Sequence, residues 1–458
     1  QTRKSNLQAS GEHIVHDVTL FEYDALIAGK AVEEVGAGVH VIPAHDFRWL
    51  KARCLSMKKA WQWLTLTRRC GQEALRTANY AGIVRCPSGL QLEILPKTGR
   101  AAGDADRADH ARRVLMRMLA CLPNFRHLRL DTAERAAASQ PLWEIFIGEA
   151  LAAIAAVIKH GLRRDYRTYE GNLFLLRGKL LPTAHLRHNL FRADRFYTAH
   201  DEYSPDRAEN RLLHSAVLQA PQRTRHPGHQ RLARELRFAL ADIPPSTRPG
   251  DDFARVRFER GMGYYREALA WAQLLLAETN PLGDGRDDRL PALLFPMEAL
   301  FEAYVAQHLT RTFPHLRVHT QHRKHCLLAG DGPNRFLRPD LVLSDAADGS
   351  TQWVLDCKWK VPEGQSISGI ASSDLYQLLA YGINYYDDRA GKLALVYPQT
   401  VLFSQPLPVQ FRNTQLQLWL LPFDCDAEEC RLLLPDDCLP AQPPSGIKTD
   451  LRYAGAVD

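Results

Sequence analysis

Apolar residues recur at helical spacing through the middle of the chain and again in two later segments. A repeat of about 3.6 residues places such side chains on one face of an amphipathic helix. The pattern therefore predicts a mainly helical middle region and two further helices in the C-terminal third. The predicted helices span 107–122, 141–161, 206–218, 228–241, 264–278, 296–312 and 372–387.

Short runs rich in β-branched and aromatic residues predict strands on either side of polar turns. Residues 80–96 form one predicted hairpin, and residues 336–343 and 352–360 form another, joined by the turn sequence SDAADGS. A further strand is predicted at 393–397, after the last helix. The helix–strand–strand–helix–strand order of the C-terminal third indicates a mixed α/β sheet covered by helices.

The chain has 458 residues, which is enough for two or three domains with separate cores. We predict a β-rich N-terminal domain at 1–100, a mainly helical domain at 101–285 and a mixed α/β domain at 286–458. The Gly- and Asp-rich segment 281–288 marks the last boundary. The Pro-rich tail from 435 is expected to be ordered only in part.

The composition is that of an ordinary soluble protein, with 45% hydrophobic and 24% charged residues. The longest apolar stretch, 142–158, contains Glu144 and Glu149 and is short for a membrane span, so we expect a buried helix and no membrane partner. Nine cysteines show neither a C-x-x-C pair nor zinc-type Cys/His spacing, which favours a reducing compartment. We therefore expect a cytoplasmic protein.

Positive charge is concentrated in the predicted helical domain. The net charge of the chain is +6, but residues 163–260 contain 19 Lys or Arg against 12 Asp or Glu. An excess of this kind suits a polyanion or an acidic protein surface as partner. A solvated arginine-rich helical surface explains the same excess equally well, and both interpretations remain open.

Acidic and basic residues interrupt the two apolar strands of the C-terminal hairpin. Asp340 follows Arg338 and Pro339, and Asp356 precedes Lys358 by two residues, so these last two side chains share a strand face. A D-x-K triplet alone is usually a solvated surface feature. Two carboxylates and a lysine on paired strands, however, are what a hydrolytic Mg²⁺ site requires.

The order P-D…D-x-K resembles the PD-(D/E)xK nuclease superfamily. Gln377 and Tyr381, which are i and i+4 on a predicted helix, resemble the Q-x-x-x-Y element of its RecB-like members. Glu302, on the predicted helix 296–312, resembles the acid that supports the metal in those folds.

Three further segments resemble the McrC family, the nuclease subunits of McrBC-type modification-dependent restriction systems. The resemblance extends from about residue 75 to about residue 400, and it implies a PD-(D/E)xK-like sheet flanked by helices in the C-terminal domain. Cys357 departs from the pattern, because Ala is frequent at this position, and an acid at the position of Glu302 is not uniform in the family. The three segments are LEILPK at 92–97, LRGKL at 176–180, and DEYS with NRLL at 201–213.

The resemblance implies a catalytic centre for cleavage of double-stranded DNA. Asp340, Asp356 and the backbone carbonyl of Cys357 would hold Mg²⁺, and Lys358 would orient or deprotonate the attacking water. Gln377 and Tyr381 would brace the backbone phosphate or the lysine. Each of these roles is an expectation carried by the resemblance.

The resemblance also implies a partner, a McrB-like hexameric AAA+ GTPase that a finger-like element of this family contacts and stimulates. Arg177 and Lys179 are the preferred contact residues within 101–285. The chain has no G-x-x-x-x-G-K-[ST] motif, so GTP would be bound by the partner. A free-standing RecB-like repair nuclease and a catalytically idle adaptor of an AAA+ ring are the alternatives.

Overall fold

The computed structural model contains ten helices and four β-sheets among the residues it describes. The mixed α/β fold class predicted from the sequence is confirmed. The predicted boundary at 281–288 and the tail from 435 lie outside the described residues. Those residues are 17–29, 33–34, 38–56, 62–69, 71–97, 104–122, 125, 140–276, 292–327, 336–360, 370–387, 389–425 and 432.

The chain divides into two compact units, one of residues 1–97 and 101–300 and the other of residues 98–100 and 301–458. The first begins with two β-sheets that share an apolar core, in which Leu26, Leu50 and Leu92 are fully buried. Their elements are β1 (Asp17–Phe21), β2 (Ala25–Gly29), β3 (Glu33–Glu34), β4 (Val39–Pro43), α1 (Ala44–Cys54), β5 (Leu64–Arg69), β6 (Gln72–Thr77), β7 (Tyr80–Arg85), β8 (Gln91–Leu95) and β12 (Ala292–Pro296). The sheet orders are β3-β4-β2-β6-β5 and β1-β8-β7-β12.

Strand β12 returns from far along the chain to pair antiparallel with β7. At their contact Gly82 has φ +137°, and a Cβ there would lie 1.9 Å from the carbonyl oxygen of Leu293. Only glycine allows this close approach. The sequence-based division had placed this strand with 286–458, whereas it belongs to the first unit. The three-domain division as a whole stays a prediction.

Helices form most of the rest of the first unit. The five that were predicted there begin and end within a few residues of their predicted bounds, whereas Ala44–Cys54, Pro182–Asn189 and Pro249–Arg255 form helices that were not predicted. The apolar stretch at 142–158 is the buried helix expected from the sequence. None of the helices in the described part of the chain is long and apolar enough to cross a membrane. The helices are α2 (Asp104–Ala120), α3 (Leu142–His160), α4 (Pro182–Asn189), α5 (Ala208–Gln219), α6 (Pro227–Ala239), α7 (Pro249–Arg255) and α8 (Tyr265–Leu276).

A three-stranded antiparallel ribbon interrupts the helical region. It consists of β9 (Asp165–Leu173), β10 (Lys179–Leu180) and β11 (Phe196–Ser204), in the order β10-β11-β9, and α4 packs against β11. Most ribbon side chains are exposed or only half-buried. No strand was predicted here from the sequence, because a ribbon whose side chains are mostly exposed lacks the apolar alternation that identifies strands.

Asn210, on helix 208–219, forms the hydrogen bonds that join the base of the ribbon to the helices. Its side-chain amide donates to the carbonyl oxygens of Arg163, at 2.9 Å, and Pro205, at 2.7 Å, which lie just outside the two ends of the ribbon. The buried Tyr265 hydroxyl donates to Asn210 Oδ1 at 2.7 Å. The N-R element of the family resemblance therefore has a structural role, because it closes the ribbon at its base.

The second unit contains one six-stranded mixed sheet in the order β13-β14-β15-β16-β18-β17. The predicted hairpin, both predicted helices and the strand after them are confirmed, while β13, β17 and β18 were not predicted. The elements are α9 (Met297–Thr312, of which the part from Phe301 belongs here), β13 (Leu316–Thr320), β14 (Leu341–Asp345), β15 (Thr351–Cys357), α10 (Ser372–Tyr386), β16 (Gly391–Pro398), β17 (Leu407–Gln410) and β18 (Leu416–Phe423).

Helix α10 packs on one face of this sheet, where Leu378 joins Val354 and Leu393 in an apolar cluster. Side chains alternate along a strand, so Asp356 is on the same face as Val354, and Cys357 is on the opposite face. The sheet and α10 therefore enclose the position of Asp356.

Candidate active site

The ends of two antiparallel strands bring Asp340 and Asp356 together. Leu341 is paired with Leu355 in the β14–β15 register, which places Asp340 opposite Asp356 at the next position. The Cys357 amide N–H donates to Asp340 Oδ2 at 2.8 Å. The two carboxylates that were predicted to share a site therefore lie on neighbouring strands.

Lys358 completes this group. Its backbone N–H donates to the Val396 carbonyl at 2.9 Å, so chain pairing continues one residue beyond β15. Its Nζ lies 2.6 Å from Asp356 Oδ2, as the shared strand face predicts. Cys357 is buried on the other face, and burial raises the pKa of its thiol well above the ordinary value.

Burial and repulsion by a neighbouring acid raise the pKa of both carboxyl groups. Asp356 is 1% exposed, and burial, followed by the charge of Asp340, raises its pKa to about 6. Burial, reinforced by the charge of Glu302, also raises the pKa of Asp340. Burial opposes the charge of Lys358, but the attraction of Asp356 outweighs it and raises the lysine pKa. Asp340 and Asp356 thus share one lysine, an arrangement that favours a bound cation.

Gln321, which received no role from the sequence, contacts both Glu302 and Asp340. Its side-chain amide donates to Glu302 Oε1 at 2.5 Å and to Asp340 Oδ1 at 3.2 Å. Its backbone N–H donates to the Asp340 carbonyl at 2.8 Å, and its φ is +50°. Glu302, whose pKa is raised by burial, is thereby held beside Asp340. Gln321 follows β13, a strand that was not predicted, and a single glutamine has no sequence signature. Its role is therefore visible only in the folded structure.

Gln377 and Tyr381 occupy the same face of α10, as their spacing predicts. Gln377 Nε2 donates to the Tyr381 hydroxyl at 2.6 Å, and that hydroxyl donates to the Arg338 carbonyl at 3.0 Å. The pair thus supports the chain two residues before Asp340. A contact with the substrate phosphate stays a prediction.

Asp374 is a further buried acid near the site that received no role from the sequence. Its Oδ2 lies 3.5 Å from Lys360 Nζ, and its charge contributes to the raised pKa values of Asp356 and Lys358. It lies in the first turn of the helix that carries Gln377 and Tyr381.

Arg177 and Lys179, the predicted partner contacts, lie on the ribbon of the first unit and are exposed. Between them Gly178 has φ +74°, and a Cβ there would lie 2.3 Å from the Ala199 carbonyl oxygen. The R-G-K segment therefore needs glycine so that the chain can enter β10 beside β11. Whether the flanking cations contact a partner stays a prediction.

The donor set suits Mg²⁺ better than a metal that needs an all-protein shell. In the part of the chain that the structure describes, no three His, Cys, Asp or Glu side chains converge closely enough to hold a metal by themselves. Mg²⁺ is commonly held by one or two carboxylates, with water and phosphate oxygens completing the shell. Asp340 and Asp356, together with the Cys357 carbonyl, fit that description.

Comparison with known families decides the assignment. The family model described as "McrBC 5-methylcytosine restriction system component" matches residues 75–398, which is more than half of the chain. The chain belongs to this family. The match includes both the ribbon and the Asp340, Asp356 and Lys358 site. No curated protein sequence gives a significant match.

Two solved structures resemble the fold. One is a half-complex from a tetradecameric assembly of Thermococcus gammatolerans McrB AAA+ hexamers with bound McrC. It is 18% identical, covers 89% of this chain and 95% of the other, and has a TM-score of 0.65, which shows a shared fold. The other is the T. gammatolerans McrBC complex, with 20% identity, 65% and 88% coverage and a TM-score of 0.47, which is too low to support an argument.

Proposed function

We propose that the chain is the Mg²⁺-dependent endonuclease subunit of a McrBC-type complex that cleaves modified DNA, such as DNA containing 5-methylcytosine. The observation that carries the proposal is the buried pair Asp340 and Asp356 with Lys358 2.6 Å from Asp356. A surface D-x-K triplet would not keep an acid 1% exposed beside another acid. Such an arrangement costs folding free energy, and a functional site is the usual reason to retain it.

Each residue of the site has a distinct role in this proposal. Asp340, Asp356 and the Cys357 carbonyl would hold Mg²⁺, which supplies Lewis-acid polarisation of the scissile phosphate when bound. Lys358 would orient the attacking water and offset negative charge that develops on the phosphate. Its contact with Asp356 fixes the ammonium group beside one of the two carboxylates that would hold the metal.

Residues around these three groups would position them. Gln321 fixes the orientation of the Asp340 carboxylate relative to Glu302 through two donated hydrogen bonds. Tyr381 holds the Arg338 carbonyl and thereby the chain that carries Asp340. A displacement of about 1 Å in such a site can lower a rate by a factor of about 100.

We propose that the ribbon docks on a McrB-like AAA+ hexamer and stimulates its GTP hydrolysis, with GTP bound by the partner. Large apolar side chains at the ribbon are exposed: Leu175 is 78% exposed and Phe191 is 95% exposed. Exposed apolar groups clustered on one element are typical of protein interfaces. The structure bearing McrB hexamers with bound McrC supports the choice of partner. The expected contact surface thus includes apolar residues next to Arg177 and Lys179.

Cleavage of methylated plasmid DNA, with and without the co-encoded AAA+ protein and GTP, tests the proposal. We expect cleavage that requires Mg²⁺, the partner and GTP, and much weaker cleavage of the unmethylated plasmid. Cleavage that does not depend on the partner or on GTP would identify a free-standing RecB-like repair nuclease. GTPase stimulation without cleavage under any condition would identify an idle adaptor.

A further inference from the structure

A cationic segment lies at the edge of the sheet that carries the site. From His315 to Leu327 the chain contains no acidic residue, but it contains Arg317, Arg323, Lys324 and four histidines. The segment begins with the edge strand β13 and continues through Gln321, which contacts Asp340. We call residues 321–325 the basic rail.

Backbone hydrogen bonds hold the basic rail beside residues 337–340, which lead into β14 and include Asp340. The Gln321 N–H donates to the Asp340 carbonyl, and the Leu337 N–H donates to the His325 carbonyl, both at 2.8 Å. His322 Nδ1 lies 3.1 Å from the Tyr385 hydroxyl of α10. The rail therefore runs along residues 337–340 in a fixed position and not as a free loop.

The cations of the rail face solvent. Arg323 and Lys324 are both exposed, and within the described residues neither forms an ion pair with an acid. Phe336, bridged to Cys326 next to the rail, is 49% exposed. Unneutralised cations next to an exposed aromatic ring are typical of surfaces that track a nucleic-acid backbone.

We infer that the basic rail binds the phosphates that flank the scissile bond and aligns one DNA strand with Asp340 and Asp356. The inference rests on the proposed function in taking DNA as the polyanion. Each phosphate contact with B-DNA contributes about 0.9 to the slope of log affinity against log salt concentration. Arg323 and Lys324 together should therefore contribute about 1.8 to that slope.

Fluorescence anisotropy with a labelled 30-base-pair duplex tests the rail. The full-length chain is titrated in EDTA, which prevents cleavage, at salt concentrations between 50 and 200 mM. We expect R323A/K324A to reduce the slope by about 1.8 and to bind less tightly at low salt. The charge-retaining variant R323K/K324R should keep the parental slope.

Arg389 and Arg412 provide a matched control, because both are exposed cations of the same unit. Arg389 precedes β16, and Asp356 is paired with Leu395, so about 13 Å of strand from Gly391 to Leu395 lies between Arg389 and the site. R389A/R412A removes the same charge and should leave the slope unchanged.

Phosphate binding by the rail would be refuted if the parent and R323A/K324A had the same salt slope, or if R389A/R412A reduced the slope equally. Binding of the parent that does not depend on salt would refute it as well. A preference for single-stranded RNA over the duplex would refute DNA as its ligand. If R323A/K324A reduces the salt slope of binding but the parent protein never cleaves DNA, the result would instead count against the proposed nuclease function alone.

Discussion

Replacing Asp356 by asparagine should stabilise the metal-free protein while removing its response to Mg²⁺. The substitution preserves the size of the side chain and removes a charge that is almost completely buried. Burial and the nearby charge of Asp340 are the main causes that raise the pKa of Asp356, so the same two effects disfavour the folded state when this carboxyl ionises.

The magnitude follows from the pKa. A rise from the ordinary value of 3.8 to about 6 corresponds to about 3 kcal/mol, at about 1.4 kcal/mol for each pKa unit. This value already contains the attraction of Lys358, which partly offsets the repulsion. For a unit of this size, 1 kcal/mol shifts Tm by about 2–4 °C, so D356N should raise Tm by up to about 6–12 °C.

The effect should depend on pH in one direction only. Below about pH 4 the carboxyl is protonated in both states and costs nothing. Between about pH 4 and pH 6 the unfolded state releases the proton first, so the parent loses stability, and above pH 6 the loss is complete. The advantage of D356N should therefore be absent at pH 4 and full at pH 8.

Thermal unfolding in EDTA from pH 4 to pH 8, repeated with Mg²⁺ at pH 8, measures this. Mg²⁺ should raise the Tm of the parent and leave D356N nearly unchanged. The control D387N removes an exposed carboxylate just after α10 and should change little. A D356N variant that is no more stable than the parent at pH 8, or that gains as much from Mg²⁺, would refute the reasoning.

Three further predictions concern the supporting residues and the ribbon. Tyr381→Phe removes two hydrogen bonds at the site and should lower the free energy of unfolding by about 1–3 kcal/mol. The control Tyr376→Phe, on the exposed side of the same helix, should not change the unfolding curve. Gln321→Leu should raise the Mg²⁺ concentration needed for half-maximal cleavage, and an unchanged Mg²⁺ requirement would contradict its role in placing the acids. Leu175→Ser with Phe191→Ser should weaken stimulation of the partner GTPase at unchanged Tm, and undiminished stimulation would place the contact elsewhere.

The sequence predicted those parts of the fold whose burial leaves a periodic pattern. The C-terminal hairpin has one face against α10, so apolar alternation identified it, and the spacing from Asp356 to Lys358 was enough to place both on one strand face. Five helices of the first unit were predicted for the same reason, and α3, for example, is buried along most of its length. The shorter helices α1, α4 and α7, of 11, 8 and 7 residues, were not predicted.

The missed elements lack such a pattern. Most ribbon side chains are exposed or only half-buried, so the ribbon strands show no apolar alternation. Strand β12 pairs with a strand about 200 residues earlier, and no local signal reports such a partner. Gln321 acquires its role because the edge strand ends beside Asp340, a consequence of sheet order that a single sequence does not express. Local chemistry was therefore predictable, whereas contacts between distant segments were not.

The most direct test of the metal-dependent site is the cleavage rate of the assembled complex that carries Lys358→Ala. The variant is combined with the AAA+ partner, GTP, Mg²⁺ and methylated plasmid DNA, and GTPase stimulation is measured in the same samples to verify assembly. The account predicts cleavage at least about 100-fold slower than that of the parent, because an ammonium group that offsets phosphate charge is lost, with GTPase stimulation preserved. Cleavage at the parental rate would contradict it.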